Sequence, residues 1–146
     1  MNKKILTLTQ EDYSDPYKCS RLWKYISKRL WGTRYLVLKA VKQEGYVLKF
    51  ASEALRADQD VVIEAVRKNG EALGYASKEL RDDREVALEA VKQEGYALRY
   101  ASKALRNDRE VVLAAVKQNV YALRYASDEL KNDKEVVREL EVKNDK

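Results

Sequence analysis

The chain has 146 residues and a formal net charge of +5, with 36% charged and 45% hydrophobic residues, one proline and five glycines. That balance excludes disordered and collagen-like chains and suits one domain or a short repeat array. Histidine is absent and Cys19 is the sole cysteine, so imidazole bases, His/Cys zinc sites, c-type haem attachment and internal disulfides are excluded, and we assign no catalytic, cofactor-binding or metal-binding residue.

In chain order, residues 1–10 read as an arm, since Ile5, Leu6 and Leu8 form neither a membrane span nor a Sec signal. The expectation is a cytoplasmic protein, with signal-independent export as the alternative. Ser14, Asp15 and Pro16 then offer a cap and a first-turn proline, which predicts a helix from near Pro16 to near Gly32, with Thr33 capping the next. From there a period of 25 governs the chain. Residues 86–110 and 111–135 are identical at 17 of 25 positions, and copies at 36–60 and 61–85 keep the frame without gaps. Residues 11–35 form a divergent, basic first copy, with Tyr25, Ser27, Leu30 and Thr33 under Tyr100, Ser102, Leu105 and Asp108. Residues 136–146 form a half-repeat cap, where Arg138 and Glu141 replace apolar residues, as a terminal unit requires.

Each unit reads as two short helices. The first begins at Asn107-Asp108-Arg109-Glu110 or its counterpart, with the Asn expected to cap and the Glu to return the bond. In it Val61, Val62, Ile63, Ala65 and Val66 cover more than half the circumference. Gly45, Gly70 and Gly95 are placed to end it in the left-handed conformation, with Asn119 taking that role before Val120. The second helix is predicted from about Tyr96 to Arg106, with the recurring serines, such as Ser102, bonding to the preceding turn. Neither helix is long enough to stand alone, so stacking supplies stability. The fold class is all-α, an α-α solenoid of 25-residue helix-turn-helix repeats.

The unit AVKQEGYALRYASKALRND at residues 90–108, repeated with small changes over about 36–135, resembles domain-of-unknown-function family 4116. That resemblance implies short tandem helical repeats and no particular activity.

Within the frame, departures between copies point to function. All of the net +5 falls in residues 1–35, which hold eight cations and three acids. Arg21, Trp23, Lys24, Lys28, Arg29, Trp31 and Arg34 cluster there. Such a set suits an aromatic and arginine anchor for a protein partner, or phosphate contact with base stacking. The competing reading makes the rings core and the cations a solvated cap, because Trp23 aligns with Leu98. A second row carries Tyr46, Tyr96 and Tyr121 beside Lys49, Arg99 and Arg124, with Glu71 and Gly74 at the matching places of the middle copy. The swap predicts a small acidic notch for a basic peptide group, unless it is drift on an exposed face. A third row, Lys42, Arg67, Lys92 and Lys117, reads as a solvated face because acids lie beside it. Cys19 lies near Lys18 and Arg21 and is reactive if exposed. The leading expectation is therefore a non-enzymatic binding module for a protein partner, contacted at Arg21, Trp23, Lys24, Lys28, Arg29, Trp31, Arg34, Glu71, Tyr96 and Arg99. The alternative is nucleic-acid binding through residues 17–35.

Overall fold

A computed structural model describes residues 30–144. The expected arm, the start of the Pro16 helix and Cys19 lie outside them. Among the described residues there is no strand, and the elements recur every 25 residues. The long helices are Arg34–Gln43, Gln59–Lys68, Arg84–Gln93 and Arg109–Gln118, followed by Lys134–Asn144. The fold is an all-α solenoid, with long helices in one layer and shorter elements in the other.

Each long helix starts where its sequence signals, though at a different residue of the cap. The capping side chain is Asp58, Asp83 or Asp108, accepting from Val61, Val86 or Val111 N–H at 3.0–3.1 Å. The preceding Asn107 does not cap this helix but accepts from the Ser127 hydroxyl of the next unit. The expected return bond is replaced as well, because Glu110 pairs with Arg84 of the preceding unit. Thr33 does hold the cap position, its carbonyl accepting from Val37 N–H at 3.0 Å. The apolar stripe is buried as its spacing requires. Val61, Val62, Ala65 and Val66 are fully buried, as are Ala90 and Ala115, while Ile63 and its equivalents Leu38, Leu88 and Leu113 pack at the margin.

The second half of each unit differs from the single helix expected. It is a six-residue 3-10 segment, Gly45–Phe50, Gly70–Tyr75, Gly95–Tyr100 or Val120–Tyr125, then an extended Ala-Ser step, then one short turn of helix. The short elements are Glu53–Arg56, Lys78–Arg81 and Asp128–Lys131, with a 3-10 turn at Leu105–Asn107 in the unit 86–110. The break has a non-local cause. Ser77 N–H donates to Arg56 O at 2.8 Å, Ser102 to Arg81 O at 3.0 Å and Ser127 to Arg106 O at 2.9 Å, so this backbone bonds the preceding unit instead of its own helix. Ser52 does the same to Trp31 O at 3.0 Å. The serine hydroxyls then cap the short turns, Ser102 Oγ accepting from Leu105 N–H at 3.2 Å.

The glycines are also explained by the neighbouring unit. None has positive φ, and Asn119 is extended at φ −147°, so the left-handed ends expected at these places do not form. A Cβ on Gly45, Gly70 or Gly95 would instead lie under 3.0 Å from the carbonyl oxygen of Ala65, Ala90 or Ala115 one unit on. These glycines admit close backbone approach. The start of the 3-10 segment is capped from the same side, with Gly45 N–H donating to Asn69 Oδ1 at 2.7 Å and Gly95 N–H to Gln118 Oε1 at 2.6 Å.

This assignment separates two substitutions that look alike in sequence. Gly70→Ala is expected to destabilise by about 1–3 kcal/mol, because the neighbouring backbone must shift. Gly32→Ala meets nothing within 4 Å and should stay within about 0.5 kcal/mol. Urea unfolding of both variants checks this, and equal losses would show that stacking does not set the glycine positions.

Candidate functional site: a tyrosine and arginine face

Two outer surfaces flank the core, and their charges are handled differently. On the long-helix side, four arginines and Lys42 each reach an acid of the next unit. Arg34 meets Asp58 at 2.7 Å and Asp60 at 2.6 Å, Lys42 meets Glu64 at 3.8 Å, and Arg67 meets Glu89 at 2.8 Å. Arg84 meets Asp108 at 3.0 Å and also Glu110, while Arg109 meets Asp133 and Glu135. The groove between the first two long helices, lined by Arg34, Leu38, Asp60 and Arg67, therefore has walls that already pair with each other. The arginines of this surface form a neutralised lattice.

The 3-10 side is built from rings. Position by position it carries Phe50, Tyr75, Tyr100 and Tyr125, with Tyr46, Tyr96 and Tyr121 at the start of their segments. Lys49 lies over the Phe50 ring at 4.8 Å, Arg99 over Tyr100 at 4.4 Å and Arg124 over Tyr125 at 5.5 Å. Tyr96 meets Tyr125 edge-on with centroids 6.0 Å apart. That contact joins one unit's first ring to the next unit's last. Tyr121 is 71% exposed, whereas Tyr46 and Tyr96 are half-buried. The Tyr46 phenol is held above its ordinary pKa, first by burial and then by the Glu94 and Glu71 carboxylates.

The expected site residues fall into three groups. Arg21, Trp23, Lys24, Lys28 and Arg29 lie outside the described residues. Trp31 and Arg34 are described, and neither is a free anchor. Trp31 is 6% exposed and its ring packs on Phe50 at 5.5 Å, because the first unit needs a large apolar group where it meets the array. Arg34 is occupied by Asp58 and Asp60. Glu71, Tyr96 and Arg99 come together on the 3-10 side, but without an open acidic notch. Arg99 reaches Glu71 at 3.5 Å, and the Tyr100 ring covers Gly74 so closely that a Cβ there would sit 2.8 Å from Cε1. The two departures of the middle copy are thus filled by the next copy.

Sequence reasoning missed the arginines of the short elements, Arg56, Arg81 and Arg106. Their Nε atoms are buried without a hydrogen-bond partner. Their recurrence at one frame position, where the first copy has Trp31, was the available signal.

Among the described residues, no group of three or more acids or cysteines is placed to hold a metal ion, and no helix is long and apolar enough to cross a membrane. The architecture is that of a tandem helical-repeat protein. The chain belongs to the DUF4116 family, a domain of unknown function whose model matches it five times in overlapping register, at residues 17–56, 33–81, 58–106, 83–131 and 108–146. Neither curated proteins nor solved structures give a match.

The ion pairs also make a pH prediction. Arg34 holds the Asp58 carboxyl below its usual range, against desolvation. At Asp108 desolvation pushes the pKa up but is outweighed by the Val111 N–H and Arg84, and Asp133 is lowered in the same way by Arg109 and Val136 N–H. Carboxyls depressed in the folded state stabilise it fully above their unfolded pKa of about 3.9 and lose that contribution as pH falls through the folded value. With no histidine in the chain, the melting temperature should be flat from about pH 5 to 8 and fall below about pH 4. Asp108→Asn, which keeps a capping oxygen but loses the charge, should reduce that acid dependence. An unchanged acid profile in this variant would refute the assignment.

Proposed function

We propose that this array is a non-enzymatic, cytoplasmic docking module that holds a protein partner along its 3-10 face. The observation that carries the reading is the segregation of side chains. The arginines of the long-helix side pair with the array's own acids, whereas the other side presents Tyr75, Tyr96, Tyr100, Tyr121 and Tyr125 with Arg99 and Arg124. Tyrosine and arginine are enriched at the centres of protein interfaces, because they bury large area at low rotamer cost and offer directed donors. An isolated exposed tyrosine is ordinary, but a ring row with cations stacked on it, repeated by the fold, makes a continuous strip. Solenoids bind extended partners along such strips.

The nucleic-acid alternative through residues 17–35 has lost two of its contributors within the described residues, since Trp31 is buried and Arg34 is paired.

The test is an unbiased peptide-display selection on the full chain. Enriched peptides are expected to lose at least about tenfold in affinity on Tyr75→Ala with Tyr121→Ala, in a protein whose circular dichroism and melting are near wild type. Binding indifferent to both substitutions would overturn the reading. So would the absence of any enriched peptide alongside salt-sensitive binding of single-stranded RNA.

A further inference from the structure

We infer that the segment held on the 3-10 face is acidic and extended in the polyproline II conformation, with a carboxylate at every third residue facing the column Arg56, Arg81 and Arg106. This rests on the docking reading and specifies its partner.

The column stands apart from the other arginines. Arg34, Arg67, Arg84 and Arg109 each meet a carboxylate of the next unit. Arg56, Arg81 and Arg106 form no ion pair among the described residues, although the backbone N–H of Glu79, with help from Arg81, holds the Glu79 carboxyl low; each is half-buried, with its Nε sealed from solvent and unbonded. Their fourth counterpart, Lys131, pairs with Asp128 at 3.1 Å. A guanidinium whose stem is packed has already lost much of its rotamer freedom, so a carboxylate arriving at the head gains a charge-assisted bond at reduced entropic cost.

The frame shows that this column borders the ring row. Arg56 stands where Trp31 stands one unit earlier, and the Trp31 ring packs on Phe50. One unit on, the equivalent neighbour of Arg56 is Tyr75, and Arg56 O accepts from Ser77 N–H two residues beyond that ring. Arg81 and Arg106 border Tyr100 and Tyr125 in the same register. Lys49, Arg99 and Arg124 lie over the rings from their own segments. Glu71 is the one acid within the four 3-10 segments, where Arg99 engages it, and Glu94 at a segment border accepts from the Glu71 N–H at 3.3 Å. The strip is therefore a row of rings flanked by cations, five of which form no ion pair among the described residues. An acidic chain complements it and a basic one does not.

Spacing selects the conformation. Packed helices generally lie about 8–10 Å apart, and on that spacing one arginine per unit recurs at a similar interval. Polyproline II has three residues per turn and rises about 3.1 Å per residue, so every third side chain shares a face at about 9 Å. A β-strand alternates faces every residue and would turn every third carboxylate away. Aromatic rows are also the surface on which polyproline II segments dock.

The experiment uses the full chain and two fluorescent peptides of equal length and charge. One repeats Glu-Pro-Pro four times; the other contains the same residues with the glutamates moved out of three-residue register. Anisotropy titration at physiological salt is expected to show at least about tenfold tighter binding of the first. That preference should disappear in Arg56→Gln with Arg81→Gln and Arg106→Gln, and should fall several-fold in Arg81→Lys alone, which keeps the charge but loses the planar fork. Equal affinity for the two peptides overturns the proposal even if the triple variant fails to fold, because that comparison needs only the wild-type chain. Tighter binding of oligouridine than of either peptide overturns it in favour of nucleic acid. If displayed peptides bind in a Tyr75- and Tyr121-dependent way but neither acidic peptide does, this inference fails while the docking reading stands. If displayed peptides ignore those tyrosines, both fail.

Discussion

The structure depends on how closely one unit's backbone approaches the next. Ten-residue helices are too short to persist in water, since nucleating a turn costs more than so few bonds return. Here each unit is completed by its neighbour. The Ser77, Ser102 and Ser127 N–H groups bond the carbonyls of Arg56, Arg81 and Arg106 in the preceding unit, and the glycines of the 3-10 segments leave room for an alanine carbonyl one unit on. A solenoid stabilised in this way has its cooperativity in the interfaces. Removing a neighbour would strip both apolar cover and backbone hydrogen bonds from the unit that remains.

The same coupling reaches the helix caps. Asp58 and Asp108 each accept the N–H that starts their own helix while receiving an arginine from the unit before. One carboxylate thereby links local helix initiation to stacking. At Asp83 the preceding unit offers Gln59 instead of arginine, and Gln59 reaches Glu85 at 3.4 Å. That interface has a neutral contact where its equivalents have an ion pair. Such exposed pairs contribute little individually, and their alignment in a lattice chiefly fixes the register of neighbouring units.

The parts of this fold legible in the sequence are those governed by local periodicity. The 25-residue frame, the buried faces of the long helices and the burial of Ala65, Ala90 and Ala115 follow from spacing alone. The break at Ala101 and Ser102 does not, because Ser102 N–H is satisfied 21 residues away, and a local reading naturally extends the helix through it. Gly45, Gly70 and Gly95 occupy plausible helix-ending places, yet their cause is a carbonyl in the next unit. The charge count at the N-terminal end was correct, but a count cannot see pairing, and Arg34 proved to be occupied. Trp31 was equally ambiguous until its packing on Phe50 was visible. The candidate site was legible in its tyrosines and hidden in its arginines, since Arg56, Arg81 and Arg106 look like frame residues when only differences between copies are weighed.

The middle copy shows how such an array varies without losing its stack. Its Glu71 and Gly74 remove a ring and a cation from the strip, and the next unit supplies the compensation, Arg99 reaching Glu71 and the Tyr100 ring lying on Gly74. Neither change touches Leu73, Ala72 or the Ser77 bond to Arg56, which carry the stacking. Core and strip are thus served by different residues on the same short segment. The strip can alter its charge and shape at one unit while the backbone coupling stays uniform, so a partner reads an irregular surface laid on a regular frame. Specificity in such a surface comes from which rings and cations are present at each step, and stability comes from what is the same at every step.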